Sequence, residues 1–340
     1  MEGIKLLVLR LTERCNLRCA YCYAARDGEE LFDMDESTAL RAVELCCPVG
    51  GTLRIQFTGG EPLLKLELME AIARFGQESG RQLVLSVQTN GTLLTDETCR
   101  RLKAIRCGVG VSLDGLGDAN ALRPFPNGTA STEAVVQGIR NLGGVGMRCG
   151  LTTVVTSANA ARLGELADLA LWLGNAAGVG LDLFRPLGRG TGQDLSPDPD
   201  ELAVGLRFLK QKAETLSAAG ISFRFRELER IRKRKNLSAC PSAYCYAQTG
   251  LSLAVDGRGD CWPCSSLAGQ ETCLLGNIRD GLPERGGEQI PALSAPENCR
   301  NCESYSQCLG GCPAGRLAQE KTDRLTCVMH RVLAGEEDFL

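Results

Sequence analysis

Eighteen cysteines share this chain of 340 residues with a single histidine, His330. One imidazole cannot build paired-histidine zinc sites, and a Ser-His-Asp triad could run only through His330 itself. The chain is far too long for a disulfide scaffold. The first apolar run, Ile4–Leu11, is interrupted by Lys5 and Arg10. It has no basic segment before it and no small-residue cleavage site after it, so it does not read as a signal peptide. No stretch reaches the roughly 18 apolar residues of a membrane helix. The chain is therefore expected in the cytoplasm, where thiols stay reduced and dense cysteines are metal ligands or catalytic groups. A net charge of −3 and an isoelectric point of about 5.6 argue against a nucleic-acid partner.

Along residues 1–185, strand patterns alternate with helical ones. Strands are read at Ile4–Leu11, Leu53–Thr58, Leu83–Gln88, Val109–Leu113, Arg148–Val155 and Val179–Phe184. Helices are read at Glu36–Leu45, Leu64–Phe75, Asp96–Ala104, Ser131–Leu142 and Asn159–Leu173, with Thr95 and Ser131 as N-terminal caps. Six such units fit an α/β fold, a partial (βα)6 barrel of the TIM type; a doubly wound open sheet is the competing architecture. Residues 186–239 read as a Gly/Pro/Asp linker followed by a bridging helix, Glu201–Ala218. Residues 240–340 hold ten of the cysteines and a hairpin at Leu251–Gly259. The basic stretch Arg224–Lys235 reads as a solvated helix face, or alternatively as a docking patch for an acidic peptide.

Immediately after the first strand comes TERCNLRCAYC, a Cys-x3-Cys-x2-Cys array of Cys15, Cys19 and Cys22. Three thiols without a fourth nearby ligand suit a cubane iron–sulfur cluster with one open iron better than structural zinc. With this triplet the chain resembles the radical S-adenosylmethionine (radical SAM) enzymes. The resemblance implies that the open iron chelates SAM, whose reductive cleavage gives a 5′-deoxyadenosyl radical that takes a substrate hydrogen. TGGEP (Thr58–Pro62) matches the family's glycine-rich motif, and QTNG and SLDG end the third and fourth strands. By that match SAM is expected to meet Tyr21, Thr58, Gly59, Gly60, Glu61, Gln88, Asn90, Ser112, Asp114 and Arg123. In that set Glu61 holds the ammonium and Arg123 clamps the carboxylate.

The C-terminal cysteines form a second pattern: Cys240, Cys245 and Cys264, then Cys299-x2-Cys302-x5-Cys308-x3-Cys312, then Cys327. Spacing alone leaves zinc and iron–sulfur clusters both open. The pattern resembles the SPASM extension of radical SAM enzymes, which implies two auxiliary [4Fe–4S] clusters and three in all. On that resemblance Cys240, Cys245, Cys264 and Cys312 hold the first, with Cys261 or Cys273 as substitutes for Cys240. Cys299, Cys302, Cys308 and Cys327 hold the second. The other cysteines read as small buried hydrophobes.

The family resemblance implies a peptide-modifying enzyme that installs a thioether or carbon–carbon crosslink in a ribosomal peptide. A reductant such as flavodoxin or ferredoxin would supply the electron. The alternatives are a sulfatase maturase making formylglycine, a SPASM enzyme acting on a small molecule, and a non-catalytic iron–sulfur or zinc protein. Ser265 stands where sulfatase maturases carry an aspartate base, which counts against formylglycine. The chain opens at its first strand without the leader-binding segment of many peptide maturases, so a separate recognition protein or a short direct contact is expected. No catalytic acid or base is singled out by the sequence.

Overall fold

The alternating pattern builds one ten-stranded sheet in the computed structural model, which describes residues 3–25, 28, 30–236, 243–284, 286–319 and 324–336. Seven parallel strands come first: β1 (Leu6–Arg10), β2 (Thr52–Thr58), β3 (Gln82–Thr89), β4 (Gly108–Ser112), β5 (Cys149–Val155), β6 (Ala176–Leu183) and the short β7 (Arg224–Phe225). Helices α1 (Glu36–Cys46), α2 (Leu66–Glu78), α3 (Asp96–Ala104), α4 (Thr132–Gly144) and α5 (Glu165–Leu173) connect β1 to β6; α6 (Pro199–Ala218) leads to β7. These strands lie side by side in chain order. A doubly wound sheet would reverse that order at a switch point, so the architecture is the partial (βα)6 barrel.

Local chemistry sets the boundaries. Thr95 caps α3 by accepting the Thr98 N–H at 3.1 Å. Ser131 does not cap α4, because its backbone is already helical and its hydroxyl donates to the Arg123 carbonyl at 2.6 Å. The helix expected from Asn159 starts late. The Asn159 side chain accepts the Thr156 N–H and donates to the Val154 carbonyl, both at 2.9 Å, and so turns the chain before α5 can begin.

The cysteine-rich segment joins the same sheet. Strand β8 (Ser252–Val255) pairs in parallel with β1, from Leu6↔Ser252 to Leu9↔Val255, and antiparallel with β9 (Asp260–Trp262); β10 (Gly276–Asn277) follows. The expected hairpin is thus present, turning at Gly259 with φ +88°. Strand β1 is consequently buried on both faces. Leu7 and Leu9 enter the large core between sheet and helices, while Val8 enters a smaller one with Ala254, Trp262, Leu267 and Ile290.

Helix α7 (Arg226–Lys235) braces this junction. Several of its charges have partners within the chain. Arg226 bonds Asp182 and Glu227, Arg232 bonds Glu214, Arg234 donates to the carbonyls of Gln307 and Tyr244, and Lys235 donates to Ala334 O. These pairs fit the reading of a solvated helix face, with Arg232 and Lys235 still exposed. Four helices complete the described C-terminal region: α8 (Glu297–Arg300), α9 (Tyr305–Cys308), α10 (Pro313–Gln319) and α11 (Arg324–Ala334).

Candidate functional site

The loop after β1 opens on a cavity of about 410 Å³ at the C-terminal ends of the barrel strands. Cys15, Cys19 and Cys22 all line it. The loop is fixed by backbone bonds and by its own side chains, Asn16 donating to Thr92 Oγ1 at 2.8 Å and Glu13 accepting the Phe32 N–H at 3.0 Å. Gly60 N donates to Thr12 O at 2.7 Å and Glu61 N to Arg14 O at 2.8 Å; on the far side Arg189 N donates to Cys22 O at 3.0 Å. A Cβ on Gly59 would stand 2.3 Å from Thr12 O, and one on Gly60 2.2 Å from Arg14 O. The two glycines therefore seat β2 against the cysteine loop while also lining the cavity.

Eight of the ten residues expected to meet SAM line this cavity: Tyr21, Thr58, Gly59, Gly60, Gln88, Asn90, Ser112 and Arg123. Gln88 donates to Ser112 Oγ at 2.9 Å and accepts from Thr152 Oγ1 at 3.3 Å, a polar rung across three strands. Asn90 Nδ2 reaches Asn16 at 2.8 Å and the Cys15 sulfur at 3.8 Å.

Glu61 and Asp114 lie behind the wall instead. Glu61 is fully buried and accepts from Leu63 N, Thr89 Oγ1 and Asn90 N, at 3.1, 2.7 and 2.8 Å. Through these three bonds it ties β2 to the end of β3. Asp114 accepts from Tyr21 and from Val154 N, and Arg123 Nη1 donates to the Tyr21 oxygen at 2.7 Å. Burial raises the Asp114 pKa against the opposing pull of Arg123. Arg123 Nε is buried without a partner, although the residue lines the cavity. An unspent donor on a buried guanidinium fits an anionic group bound there.

The cavity continues to Cys264, Ser265 and Ser266, passing Asp182, Arg185 and Arg226. Arg185 Nη2 lies 3.9 Å from the Cys312 sulfur. Cys245 and Cys312 stand close enough to Cys264 that their charges add to burial in pushing its thiol up to about 12. The structure thus brings together Cys245, Cys264 and Cys312; Cys240 lies outside the described residues. A smaller cavity of about 40 Å³ gathers Cys299, Cys302, Cys308 and Cys327, with His330 and Arg331 on its wall. Cys46, Cys47, Cys99, Cys107, Cys149, Cys261 and Cys273 are all buried in the packed cores, Cys273 in the one against which Cys264 and Cys312 pack.

Burial also pushes the Cys19 thiol up to about 12 and the Cys308 thiol up to about 11. Thiolates at such sites need a cationic metal centre beside them. Among the described residues no three His, Cys, Asp or Glu side chains close round a single-ion point. The cysteine sets ring larger spaces, as a multi-iron cluster requires. The donor chemistry therefore fits iron–sulfur clusters.

A chain with a thiol triplet at the mouth of a partial barrel belongs to the radical SAM superfamily, whose sequence model matches residues 9–170. It is 33% identical to the uncharacterized protein MJ0907 of Methanocaldococcus jannaschii over 283 residues, 82% of this chain and 91% of that one. It is 29% identical to the AdoMet-dependent heme synthase of Methanosarcina barkeri over 337 residues, 92% of each chain. The solved structure of native anSMEcpe with bound AdoMet and Cp18Cys peptide shares the fold with a TM-score of 0.82 at 21% identity, covering 98% of this chain and 96% of that one.

Three residues of consequence carry no motif: Arg185, Arg10 and His330. Arg10 ends β1 with Nε and Nη2 buried and unpartnered. It faces the same side as Val8, and its signal was the charge that interrupts an apolar strand. Both ring nitrogens of His330 are likewise buried without partners.

Proposed function

We propose that this chain cleaves SAM reductively and modifies a peptide held between the cysteine triplet and Cys264, forming a thioether or carbon–carbon crosslink. The observation that carries this reading is the single cavity that runs from Cys15, Cys19 and Cys22 to Cys264 and Ser265. Cys15, Cys19 and Cys22 would hold a [4Fe–4S] cluster that, with SAM bound, supplies the electron and the 5′-deoxyadenosyl radical for hydrogen abstraction. Cys245, Cys264 and Cys312, with Cys240, would hold an auxiliary cluster able to accept the electron given up as the substrate radical closes the crosslink; Cys299, Cys302, Cys308 and Cys327 would hold another.

The chain's own residues do the rest. Arg123 receives the SAM carboxylate through the nitrogen it leaves unpaired. Gln88 and Ser112 orient the remainder of SAM along the strand ends, and Leu6, Val8 and Val154 give the wall an apolar side that limits water. Asp182 is the one carboxylate on this wall among the described residues, and Arg226 keeps it ionised, so it serves as the proton acceptor. Ser265 faces the cavity with a hydroxyl, which cannot act as a carboxylate base and so disfavours the sulfatase-maturase alternative. A flavodoxin or ferredoxin delivers the electron.

A second reading is favoured by the full-length similarity to heme synthase. Arg185, beside the substrate half of the cavity, would hold a propionate of an iron porphyrin. One experiment separates the two. Cluster-loaded protein with dithionite and SAM should release 5′-deoxyadenosine, and its absence overturns both readings. Given release, a mass change in Cys-rich peptides encoded beside the gene supports the first. Loss of carboxyl groups from Fe-coproporphyrin III, with the peptides unchanged, replaces it with the second.

A further inference from the structure

The one histidine of the chain sits where the cysteines are densest. His330 lies on α11, three residues after Cys327, so both side chains share one face of that helix. The same small cavity collects Cys299, Cys302 and Cys308 from the preceding turns. His330 is 6% exposed, and neither ring nitrogen has a hydrogen-bond partner. The Gln307 carbonyl lies near the ring without meeting the geometry of a bond. Burying a polar ring this way costs free energy unless something in the cavity accepts its N–H. Four thiolates already complete the ligand set of a cubane, so the ring is not needed as a ligand. Acceptors remain in what such a set encloses, because thiolate and sulfide sulfurs take hydrogen bonds.

We infer that His330 is a positioning and potential-setting residue that donates its imidazole N–H to a sulfur of the cluster held by Cys299, Cys302, Cys308 and Cys327. The inference rests on the proposal that these four cysteines carry a cluster. A precedent for the contact stands on the same wall, where Arg331 Nη2 approaches the Cys302 sulfur at 4.0 Å. Donors to cluster sulfurs stabilise the reduced, more negative state, so they raise the reduction potential. His330 therefore makes this cluster an easier electron acceptor than its thiolates alone would.

The test uses anaerobically loaded, full-length protein and reads iron per chain together with an EPR-monitored redox titration. In His330→Leu the iron content should match the wild type, while the midpoint of one cluster falls. In His330→Gln, which keeps an N–H donor, the midpoint should return part of the way, and this variant preserves the test if leucine impairs folding. An unchanged midpoint in both variants overturns the inference. Loss of about four irons per chain in His330→Leu and His330→Gln alike, with the fold retained by circular dichroism, also overturns it, since the ring would then be a ligand. The underlying cluster proposal is tested separately. C299A/C327A should lose about four irons and the signal that moves in His330→Leu, and an unchanged iron count there would refute the cluster itself.

Discussion

The two ends of the chain use thiols in opposite ways. At the barrel mouth, three cysteines stand on a loop, with Cys15 exposed beside a cavity of about 410 Å³. Near the C-terminus, four cysteines enclose about 40 Å³, walled by an imidazole and a guanidinium. With the clusters proposed above, three ligands and a large space would leave an open coordination position for a second molecule. On the same proposal four ligands and a tight space would leave none, so that site would pass or store electrons and not bind a substrate. On that proposal both sites would hold their thiolates against metal, and the first would be the one open to exchange.

Replacing Cys15, Cys19 and Cys22 together by alanine should break the comparison most severely. Production of 5′-deoxyadenosine should fall to background while roughly eight irons per chain remain. Retained SAM cleavage would show that the barrel mouth is not the exchanging site. Arg123→Lys comes next. A single ammonium cannot serve both Tyr21 and a carboxylate, so SAM affinity, measured by equilibrium binding to the loaded enzyme, should weaken roughly tenfold or more.

Glu61→Gln should act on stability and not on ligand affinity. An amide nitrogen would face one of the N–H groups that Glu61 now accepts, and chemical denaturation should show a loss of about 1–3 kcal/mol. A selective loss of SAM binding instead would return Glu61 to the ligand. The smallest effect lies at Asp35, whose carboxylate caps α1 and pairs with Arg279 at 3.0 Å, tying the barrel to the cysteine-rich region. The Ser37 hydroxyl and the Thr38 N–H lower its pKa to about 2. Its contribution is therefore full above the ordinary value and is lost as pH falls from about 4 toward 2. Asp35→Asn keeps the cap and should flatten that acid-side decline by under about 1 kcal/mol, the site being exposed. An identical pH–stability curve would show that the charge contributes nothing.

Much of the barrel was legible because its signals are local. The six strands fall within a few residues of their apolar runs, and α3 spans Asp96–Ala104 as its threonine cap implies. The cysteine spacings were legible for the same reason. What spacing could not show is proximity across the chain. Nothing near residue 330 announces that its helix face meets three other cysteines, and nothing near residue 253 announces a parallel partner at Leu7. For Glu61 the glycine-rich motif does not reveal which side of the strand end its carboxylate takes. Here it turns toward Thr89 and Asn90, whose donors outcompete an open cavity.

The pairing of β8 with β1 also has a history during synthesis. Ribosomes add roughly 5–20 residues per second, so β1 waits on the order of ten to fifty seconds for the partner that covers its second edge. During that interval an apolar strand has an unpaired row of backbone groups, beside a loop of three reduced thiols. The nascent chain is therefore most vulnerable to aggregation and to wrong metals at the place where the finished enzyme is most reactive. Newly made protein should depend on folding helpers and on a supply of clusters timed to the arrival of residues 252–255.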